Sequence, residues 1–351
     1  MTQDRYLVGD VDAFVVDVLV QLGTAPATAA RVASALTLSD RVGHASHGVR
    51  QLPYYADQIV AGEIAVDAEL EVVDDLGSMV VLDGNHGFGH VVAMEAAIIA
   101  SERARRDRVA VVGLRRANHI GRLGEYTEFI ASQGQAAILL ATSEGTGQQI
   151  APFGGIDRRL TNNPISLAVP GTDFPIVLDM ALSAVAESRV FHAMEKGTSI
   201  PEGWVFDRDG VTTTDPHAYE DGGSLVPVGG VDGGHKGYAL TVLVELIVGL
   251  LARTRICGAE ERPFSNAYAL IVIDDGAGAK HTEIEHFMEW VRSSRVRADV
   301  EQVLLPGEQE HQRRGANTTT IPLDVSTVEI LRELALRSGS TASLTPSTEH
   351  A

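Results

Sequence analysis

Cysteine, positive charge and long apolar runs are all scarce in this sequence. Cys257 is the single cysteine among 351 residues, so an internal disulfide and a cysteine-rich metal site are both excluded. The formal net charge is −19 at pH 7, and such a surface repels nucleic acid and anionic membranes. We therefore expect no nucleic-acid partner and no membrane partner, and an anionic substrate needs a locally positive site.

No segment of the sequence is typical of membrane insertion or export. The longest apolar run, from Gly237 to Ala252, is shorter than the roughly 20 residues that cross a bilayer and contains Glu245. We interpret it as part of a buried helix from Tyr238 to Leu251. Residues 1–6 lack the basic start and apolar core of a signal peptide. These features predict a cytoplasmic protein.

Motifs of the common nucleotide-binding folds and of hydrolases are also missing. The stretch that begins at Gly87 comes nearest to G-x-G-x-x-G, but Val92 occupies the third glycine position. There is no Walker A loop and no G-x-S-x-G elbow, so a serine hydrolase that uses Ser46 is weakly supported. No third ligand lies near the histidine pairs 44/47 and 86/90, and we predict no metal site.

The hydrophobic fraction, 44%, is sufficient for a large core. Strand, helix and strand patterns alternate between Val109 and Thr142, which predicts the α/β fold class. We expect an N-terminal helical region, 1–75, that packs with the C-terminal part of the chain. An α/β domain that binds cofactor and substrate follows at 76–325, and 326–351 form a helix and a disordered tail. The stretch 143–170, rich in Gly, Asn and Pro, is expected to be irregular.

The loop from Arg41 to Tyr55 has the densest set of reactive side chains. Histidine is the usual general acid or base near neutral pH, and His47 follows Ser46 directly. Arg50 can hold a substrate carboxylate through paired hydrogen bonds. Solvated or packed side chains in a polar loop are the alternative interpretation of this stretch.

A second polar cluster follows a predicted strand, where α/β proteins place their sites. Asn118 and His119 resemble a catalytic acid held by an amide, and Arg116 and Arg122 add positive potential in an acidic protein. The alternative is a turn built by Asn118 and Gly121. A third cluster surrounds Lys236 with glycines at a helix N-terminus, which can cradle a phosphate.

Taken in order, the motifs resemble the type-2 malate/L-lactate dehydrogenase family. That family also includes sulfolactate, ureidoglycolate and diketogulonate oxidoreductases and cyclic-imine reductases. The resemblance extends from the first helix to about Leu323. The motifs that carry it are Gly43-His-Ala-Ser-His-Gly-Val, Asn118-His-Ile-Gly, Ala151-Pro-Phe-Gly-Gly, Asn163-Pro-Ile, Leu178-Asp-Met-Ala, Ile200-Pro-Glu-Gly-Trp, Thr213-Thr-Asp-Pro, Gly234-His-Lys-Gly-Tyr and Pro306-Gly-Glu.

The resemblance implies an NAD- or NADP-dependent oxidoreductase with a cofactor-binding fold that is not Rossmann, and a homodimer with sites near the subunit interface. It implies a proton donor at His47 and an acid or base at His119. Substrate contacts are expected from Ser46, Arg50, Arg116 and Asn118. Cofactor contacts are expected from Asn163, Ile176, Val177, Leu178, Asp179, Met180, Ala181, Leu182, His235, Lys236, Gly307 and Glu308.

Two departures from the family pattern concern the substrate more than hydride transfer. The family places arginine where this chain has Gln51, and Arg50 comes one position earlier, a shift of roughly 100° on a helix. Thr161-Asn-Asn-Pro164 also lacks the usual preceding glycine. A malate- or lactate-like 2-hydroxy acid is the expected substrate. The alternatives are a cyclic imine or other modified 2-oxo acid, a serine hydrolase, and an inactive binding protein.

Overall fold

The structure is a computed structural model that describes residues 4–258, 263–276 and 282–347. The strands are β1 Asp4–Leu7, β2 Glu71–Asp75, β3 Met79–Asp83, β4 Val109–Ala117, β5 Ala136–Thr142, β6 Ile165–Val169, β7 Ile176–Met180, β8 Val205–Phe206, β9 Thr212–Thr213, β10 Ser224–Leu225, β11 Asn266–Ile273 and β12 Thr320–Leu323. The α-helices are α1 Val8–Gln21, α2 Pro26–Arg41, α3 Leu52–Val60, α4 Gly89–Asp107, α5 Gly124–Ser132, α6 Glu187–Lys196, α7 Gly230–Leu251, α8 Thr282–Arg292, α9 Glu308–Ala316 and α10 Val325–Ser338.

A seven-stranded mixed sheet forms the centre of the molecule, in the order β2-β3-β4-β11-β5-β6-β7. Only β3 and β4 run parallel, and the other neighbouring pairs are antiparallel. The side chains of β11 alternate between two cores, because Tyr268 and Leu270 pack towards α4 and α5 while Ala267 and Ala269 pack towards α7. Helices therefore cover both faces of the sheet, and the predicted α/β class is confirmed.

The first and last parts of the chain share a separate apolar core. Side chains of α1, α2 and α3 pack with Ile321, Leu323 and Leu331. β1 pairs antiparallel with β12, and this pairing connects the first and last parts of the chain. This arrangement agrees with a helical N-terminal region packed on the C-terminal part, and the boundary at residue 75 stays a prediction.

The described part of the C-terminal tail is ordered, so the predicted disorder is wrong up to residue 347. Leu344 is only 2% exposed and belongs to the same core as α1. The backbone N–H of Ser347 donates to the carbonyl oxygen of Arg5 at 2.7 Å. A single apolar anchor thus orders a Ser- and Thr-rich stretch whose average composition predicts disorder. Residues 348–351 of the predicted tail lie outside the described residues.

Helix α7 differs from the expected buried helix in length and in exposure. It begins at Gly230 rather than Tyr238, and in the described ranges it alone is long and apolar enough to cross a membrane by length and composition. One side packs on the sheet, where the buried carboxylate of Glu245 accepts hydrogen bonds from Thr142 and Asn163. The opposite side is apolar and exposed, at Leu240, Leu243, Leu246, Ile247 and Leu250.

The sequence did not predict the strands β1, β6, β8, β9, β10 and β12 or the helix α9. β6 lies inside the stretch 143–170, where flanking Gly, Asn and Pro obscure a short apolar run. α9 begins at the glutamate of the Pro306-Gly-Glu motif and buries no side chain, so apolar periodicity gave no signal.

Candidate active site

The loop with His47 is fixed by a buried carboxylate at the end of α2. Asp40 accepts a hydrogen bond from the backbone N–H of Val49 at 2.8 Å. A Cβ at Gly48 would lie 2.0 Å from Asp40 Oδ1, so only glycine permits this approach. Burial raises the pKa of Asp40 to about 7. The glycine of the Ser-His-Gly motif is therefore explained by close packing on Asp40.

The two predicted catalytic histidines lie side by side. The rings of His47 and His119 stack with centroids 5.7 Å apart and 20° between their planes. Ser46 Oγ lies 3.0 Å from His47 Nδ1. Burial lowers the pKa of His47 to about 3, with smaller contributions from His119, His44 and Arg122, and burial lowers the pKa of His119 to about 4. Both imidazoles are thus neutral at neutral pH when the site holds no anion.

A tyrosine and a third histidine lie behind His119. Tyr55 Oη is 2.7 Å from His119 Nδ1 and 3.0 Å from His90 Nε2. The amide of Asn118 contacts His119 through the backbone and not through the imidazole ring. Its Oδ1 accepts a hydrogen bond from the backbone N–H of His119 at 2.7 Å. Sequence reasoning gave no role to Tyr55 or His90. Their positions follow from contacts between α3, α4 and the loop after β4, which no local pattern reveals.

His47 and Ser46 line a cavity of about 990 Å³. This volume lies at the upper end of the range for small-molecule sites, roughly 300–1,000 Å³. The walls come from the loop after α2, the loop after β4, the end of β7 and α6. Among the lining residues are Arg50, Gln51, Arg122, Asn162, Asp179, Met180, Ala181, Arg189, His192 and Trp204.

The arginines of the site do not all stand where the sequence predicts. Arg50 lines the cavity, and its Nη2 donates to Glu195 Oε1 at 2.9 Å. Arg116 does not line it, because its guanidinium binds Asp83 at 2.7 Å on another side of the loop. The expected substrate contact by Arg116 stays a prediction, and in this structure its guanidinium lies outside the cavity. The backbone of Arg116 is left-handed, with φ of +49°.

Arg122 is a cavity residue that the predicted site omits. Its side chain is 3% exposed and binds Glu128 through both terminal nitrogens, at 3.0 and 2.9 Å. The sequence feature that could have identified Arg122 as a site residue is its position directly after the Asn-His-Ile-Gly motif. Gln51 also lines the cavity, at the position where the family has arginine, and its amide donates to the carbonyl of Ser46 at 2.6 Å.

The predicted cofactor stretch at β7 reaches the cavity only at its end. Asp179, Met180 and Ala181 line the cavity, while Ile176, Val177 and Leu178 lie further back in the strand and Leu182 is buried. Asp179 Oδ2 accepts the backbone N–H of Gly124 at 2.7 Å, which ties β7 to the start of α5.

Asn163 does not line the cavity, and its neighbour Asn162 does. The amide of Asn163 donates to the carbonyl of Thr241 and to Glu245 Oε2, at 2.9 and 2.8 Å. Its side chain therefore connects the loop before β6 to α7. Both amide hydrogens of Asn163 are used in these two bonds, so none remains for a cofactor.

A second hollow of about 440 Å³ adjoins the cavity at the N-terminus of α7. Val228 borders both, and Lys236 and Gly237 line the hollow. His235 is exposed, with its ring 5.6 Å from that of Phe153. A lysine beside glycines and a helix N-terminus suits a phosphate group.

Gly307 and Glu308 lie against β7 and do not line either hollow. A Cβ at Gly307 would lie 3.2 Å from Val177 N, so this turn packs tightly on the strand. The carboxylate of Glu308 binds the N–H of Leu305 at 2.8 Å and Arg292 at 3.0 Å. The structure therefore brings these two residues close to the predicted stretch without placing them at the cavity.

Among the residues that the structure describes, no group of three or more His, Cys, Asp or Glu side chains is suited to a metal ion. Paired histidines, three arginines in the cavity wall (Arg50, Arg122 and Arg189) and an adjoining hollow with a lysine suit an enzyme that acts on a small anion.

Comparison with known proteins agrees with this description. Residues 8–332 match the malate/L-lactate dehydrogenase family. Hydroxycarboxylate dehydrogenase B of Escherichia coli strain K12 is 33% identical over 347 residues, which cover 95% of this chain and 94% of that protein. The structure of malate dehydrogenase from Pyrococcus horikoshii has a TM-score of 0.86 at 30% identity and covers 97% of both chains. The Δ1-piperideine-2-carboxylate reductase of Pseudomonas syringae has a TM-score of 0.81 at 29% identity, with 95% of this chain and 100% of that chain covered.

The fold and the comparisons define an oxidoreductase, of the kind that acts on the CH–OH group of hydroxy acids. The chain belongs to the malate/L-lactate dehydrogenase family.

Proposed function

We propose that the protein is an NAD- or NADP-dependent dehydrogenase that transfers a hydride between the cofactor and a small 2-hydroxy acid or 2-oxo acid. The observation that carries this proposal is the imidazole of His47 in the wall of the 990 Å³ cavity, backed by the stacked ring of His119. Membership of a dehydrogenase family supports the reaction type.

His47 is placed to exchange a proton with the substrate oxygen. When the hydroxyl of Ser46 donates to Nδ1, the ring hydrogen of His47 is on Nε2. In that neutral form the N–H can donate a hydrogen bond to a carbonyl oxygen, which becomes negative as hydride adds to the carbon. Proton transfer to this oxygen uses the imidazolium form, which a bound anionic substrate favours; the imidazolium gives up its Nε2 proton and returns to a neutral imidazole with its hydrogen on Nδ1. In the oxidation direction the same nitrogen, without its hydrogen, accepts the proton of the substrate hydroxyl.

Arg50 is our proposed partner of the substrate carboxylate. Its guanidinium is partly exposed: Nη2 donates to Glu195 Oε1 at 2.9 Å and Nη1 to Ser326 Oγ at 3.5 Å, and a substrate carboxylate can replace such weak exposed partners. Arg189 also lines the cavity. Arg122 adds positive charge from a buried position. Together the three arginines supply the local positive site that an anionic substrate needs in a protein of net charge −19.

The residues present fit a nicotinamide dinucleotide. The cavity shares Val228 with a second hollow, which is lined by Gly229 and Gly233 at the N-terminal end of α7 and by Lys236 in the second turn of this helix. A helix start with a nearby lysine is suited to a phosphate. Asp179, Met180 and Ala181 would border the end of the cofactor within the cavity, and Lys236 would hold a phosphate. Such a cofactor would supply the hydride-transfer chemistry. The side chains of the cavity bind the acid, exclude water and move the proton.

A reductase of a cyclic imine or of another modified 2-oxo acid is the second candidate. Gln51 favours it, since the arginine that the family places there is absent while the carboxamide lines the cavity. The fold likeness to Δ1-piperideine-2-carboxylate reductase supports this candidate. An imine nitrogen would take the place of the carbonyl oxygen beside His47.

A serine hydrolase is less well supported. Ser46 and His47 lie within hydrogen-bond distance, but a hydrolase base also needs a carboxylate or amide that orients it. Within the described ranges no hydrogen bond joins the ring of His47 to a carboxylate. A catalytically inactive binding protein would bind the cofactor and oxidise nothing.

One screen separates these functions. NADH and NADPH are offered to the protein with a panel of 2-oxo acids and cyclic imines, and the nicotinamide absorbance is followed. We expect turnover of at least one 2-oxo acid. Turnover of imines alone would favour the second candidate. Cofactor binding without any turnover would indicate an inactive protein, and no cofactor binding at all would contradict an oxidoreductase.

We also propose a homodimer. The exposed leucines of α7 form an apolar face on a helix whose other side is packed on the sheet. Contiguous exposed apolar surface of this kind is typical of protein interfaces.

The cytoplasmic location expected from the sequence stays a prediction.

A further inference from the structure

Tyr55 stands between two histidines in the interior of the protein. Its hydroxyl oxygen lies 2.7 Å from His119 Nδ1 and 3.0 Å from His90 Nε2. Tyr55 is 1% exposed and His90 is fully buried. In the proposed reaction His119 is the ring stacked on the proton donor His47, and the two residues behind His119 have no role.

The hydroxyl has one hydrogen, so it can donate to only one of the two imidazoles. In the first arrangement Tyr55 donates to His119 Nδ1, His90 donates its Nε2–H to the tyrosine oxygen, and His119 has its hydrogen on Nε2. In the second arrangement every hydrogen is reversed: His119 donates from Nδ1, Tyr55 donates to His90, and His90 has its hydrogen on Nδ1. Burial raises the pKa of Tyr55 well above its usual value and lowers the pKa of His90, so the phenol stays protonated and the imidazole stays neutral in both.

Two observations favour the first arrangement. Hydrogen bonds donated by a hydroxyl are typically shorter than those donated by N–H, and the contact with His119 is the shorter one. His90 Nδ1 is buried, and in the part of the chain that the structure describes it has no hydrogen-bond partner. In the first arrangement this nitrogen carries no hydrogen and is an unpaired acceptor. In the second arrangement it would be an unpaired N–H donor, and buried unpaired donors are the rarer of the two.

The ring of His90 is held in this orientation by packing. A Cβ at Gly121 would lie 2.1 Å from His90 Cε1, so the glycine of the Asn-His-Ile-Gly motif gives the ring its space. Tyr55 and His90 meet edge to face, with centroids 5.8 Å apart. Rotation of the imidazole by 180°, which would put Cε1 in the place of Nε2 and break the contact with Tyr55, is opposed by these close neighbours.

We propose that His90 and Tyr55 are positioning residues for His119: the chain His90 Nε2–H to Tyr55 Oη–H to His119 Nδ1 keeps the hydrogen of His119 on Nε2. Resting on the proposed function, in which His47 is the proton donor, this assigns the stacked ring of His119 a fixed hydrogen-bond donor at Nε2. The chain selects a tautomer and supplies no net proton, so the proton consumed in reduction enters from solvent through the cavity.

The tautomer is measured directly by nitrogen-15 NMR of histidine-labelled, ligand-free protein. We expect the Nε2–H form of His119 in the wild type and a mixture of tautomers in Tyr55→Phe, which keeps the ring and removes the hydroxyl. His90→Gln retains an N–H donor near the tyrosine oxygen and should keep the Nε2–H form, whereas His90→Leu should weaken it. A wild-type Nδ1–H form, or the same tautomer in wild type and Tyr55→Phe, would overturn the proposal.

Kinetics give a second readout once a substrate is known. We expect Tyr55→Phe and His90→Leu to lower kcat about tenfold with KM within about twofold, a smaller loss than removal of a general acid causes. His90→Gln should recover most of kcat, and the double variant Tyr55→Phe/His90→Leu should be no slower than Tyr55→Phe alone. Multiplied losses in the double variant would contradict a single chain. Because the NMR test needs no turnover, failure of the proposed function and failure of this chain are distinguishable.

Discussion

The imidazole rings of His47 and His119 are stacked and nearly parallel, with centroids 5.7 Å apart. Stacked rings do not hydrogen-bond to each other, so each histidine presents its nitrogens to other groups. We expect His47→Ala to lower kcat by about 10²-fold or more and to leave cofactor affinity unchanged, since it removes the proposed proton donor. Stopped-flow or steady-state rates and a fluorescence titration with the reduced cofactor measure the two effects.

The exposed His217 provides a matched control, because His217→Ala changes the same side chain outside the cavity. If the two histidines act as one unit, the double variant His47→Ala/His119→Ala should lose much less than the product of the single losses. Unchanged turnover in His47→Ala would remove this residue from the mechanism.

The ion pair of Arg50 and Glu195 competes with the substrate carboxylate in our proposal. Glu195→Gln should lower KM for a 2-oxo acid by about two- to fivefold, since exposed ion pairs contribute roughly 0.2–1 kcal/mol. Arg50→Ala should raise KM by about tenfold or more, because a charged hydrogen bond to the substrate is lost. Initial rates over a range of substrate concentrations give both values.

Glu220→Gln, on an exposed residue outside the cavity, controls for the change in net charge. An unchanged KM in Arg50→Ala would move the carboxylate site to another cation, and Arg122 is then the residue to test. A raised KM in Glu195→Gln would show that the carboxylate of Glu195 assists binding instead of competing with it.

The sequence predicted the members of the site better than their mutual arrangement. Ser46, His47, Asp179, Met180 and Ala181 all line the cavity, because each belongs to a motif with a strong local signature. Arg116 belongs to an equally polar stretch, yet its guanidinium binds Asp83 at the end of β3 and lies outside the cavity. This contact joins residues 33 positions apart, and no spacing rule predicts it.

Long-range contacts account for most of what the sequence did not predict. Tyr55 and His119 are 64 positions apart, and they meet only because α3 and the loop after β4 pack together. The insertion of β11 between β4 and β5 is likewise decided by tertiary packing. Individual apolar strands and helices follow from local periodicity, whereas their order in the sheet follows from which apolar faces meet.

Asp40 should make stability depend on pH. Its folded pKa of about 7 lies above the ordinary value near 4, so the folded state retains a proton that the unfolded state loses between these values. This contribution to stability is present below about pH 4 and is lost as the pH rises towards 7. We expect the free energy of unfolding of the wild type, relative to Asp40→Asn, to fall on the order of a few kcal/mol across that window.

Urea unfolding of both proteins at pH 5 and pH 8 measures this difference. The comparison with Asp40→Asn is needed because the neutral histidines act in the opposite direction: their lowered pKa values make stability rise with pH between about 3 and 6.5. Asparagine keeps an oxygen for the N–H of Val49 and cannot ionise. A constant difference between the two proteins would mean that Asp40 is not strongly perturbed.

Lys236 tests the proposed position of the cofactor phosphate. Lys236→Ala should weaken binding of NADH or NADPH about tenfold or more, because a charged contact with phosphate is lost at a helix N-terminus. Lys196→Ala removes the same charge from the exposed end of α6 and should leave affinity unchanged. Equal affinities of Lys236→Ala and the wild type would place the phosphates elsewhere.

The apolar face of α7 predicts the oligomeric state. Leu243, Leu246 and Leu250 are 54%, 49% and 74% exposed in the single chain, and a dimer would cover them. Light scattering of the wild type should give twice the chain mass of 37.4 kDa. Leu246→Glu/Leu250→Glu should give the monomer mass because two carboxylates would be buried unpaired at the interface. Leu336→Glu, on α10, is the control, since Leu336 is 82% exposed and lies on a different helix. A dimer that survives the α7 substitutions but dissociates in the control would place the interface on α10.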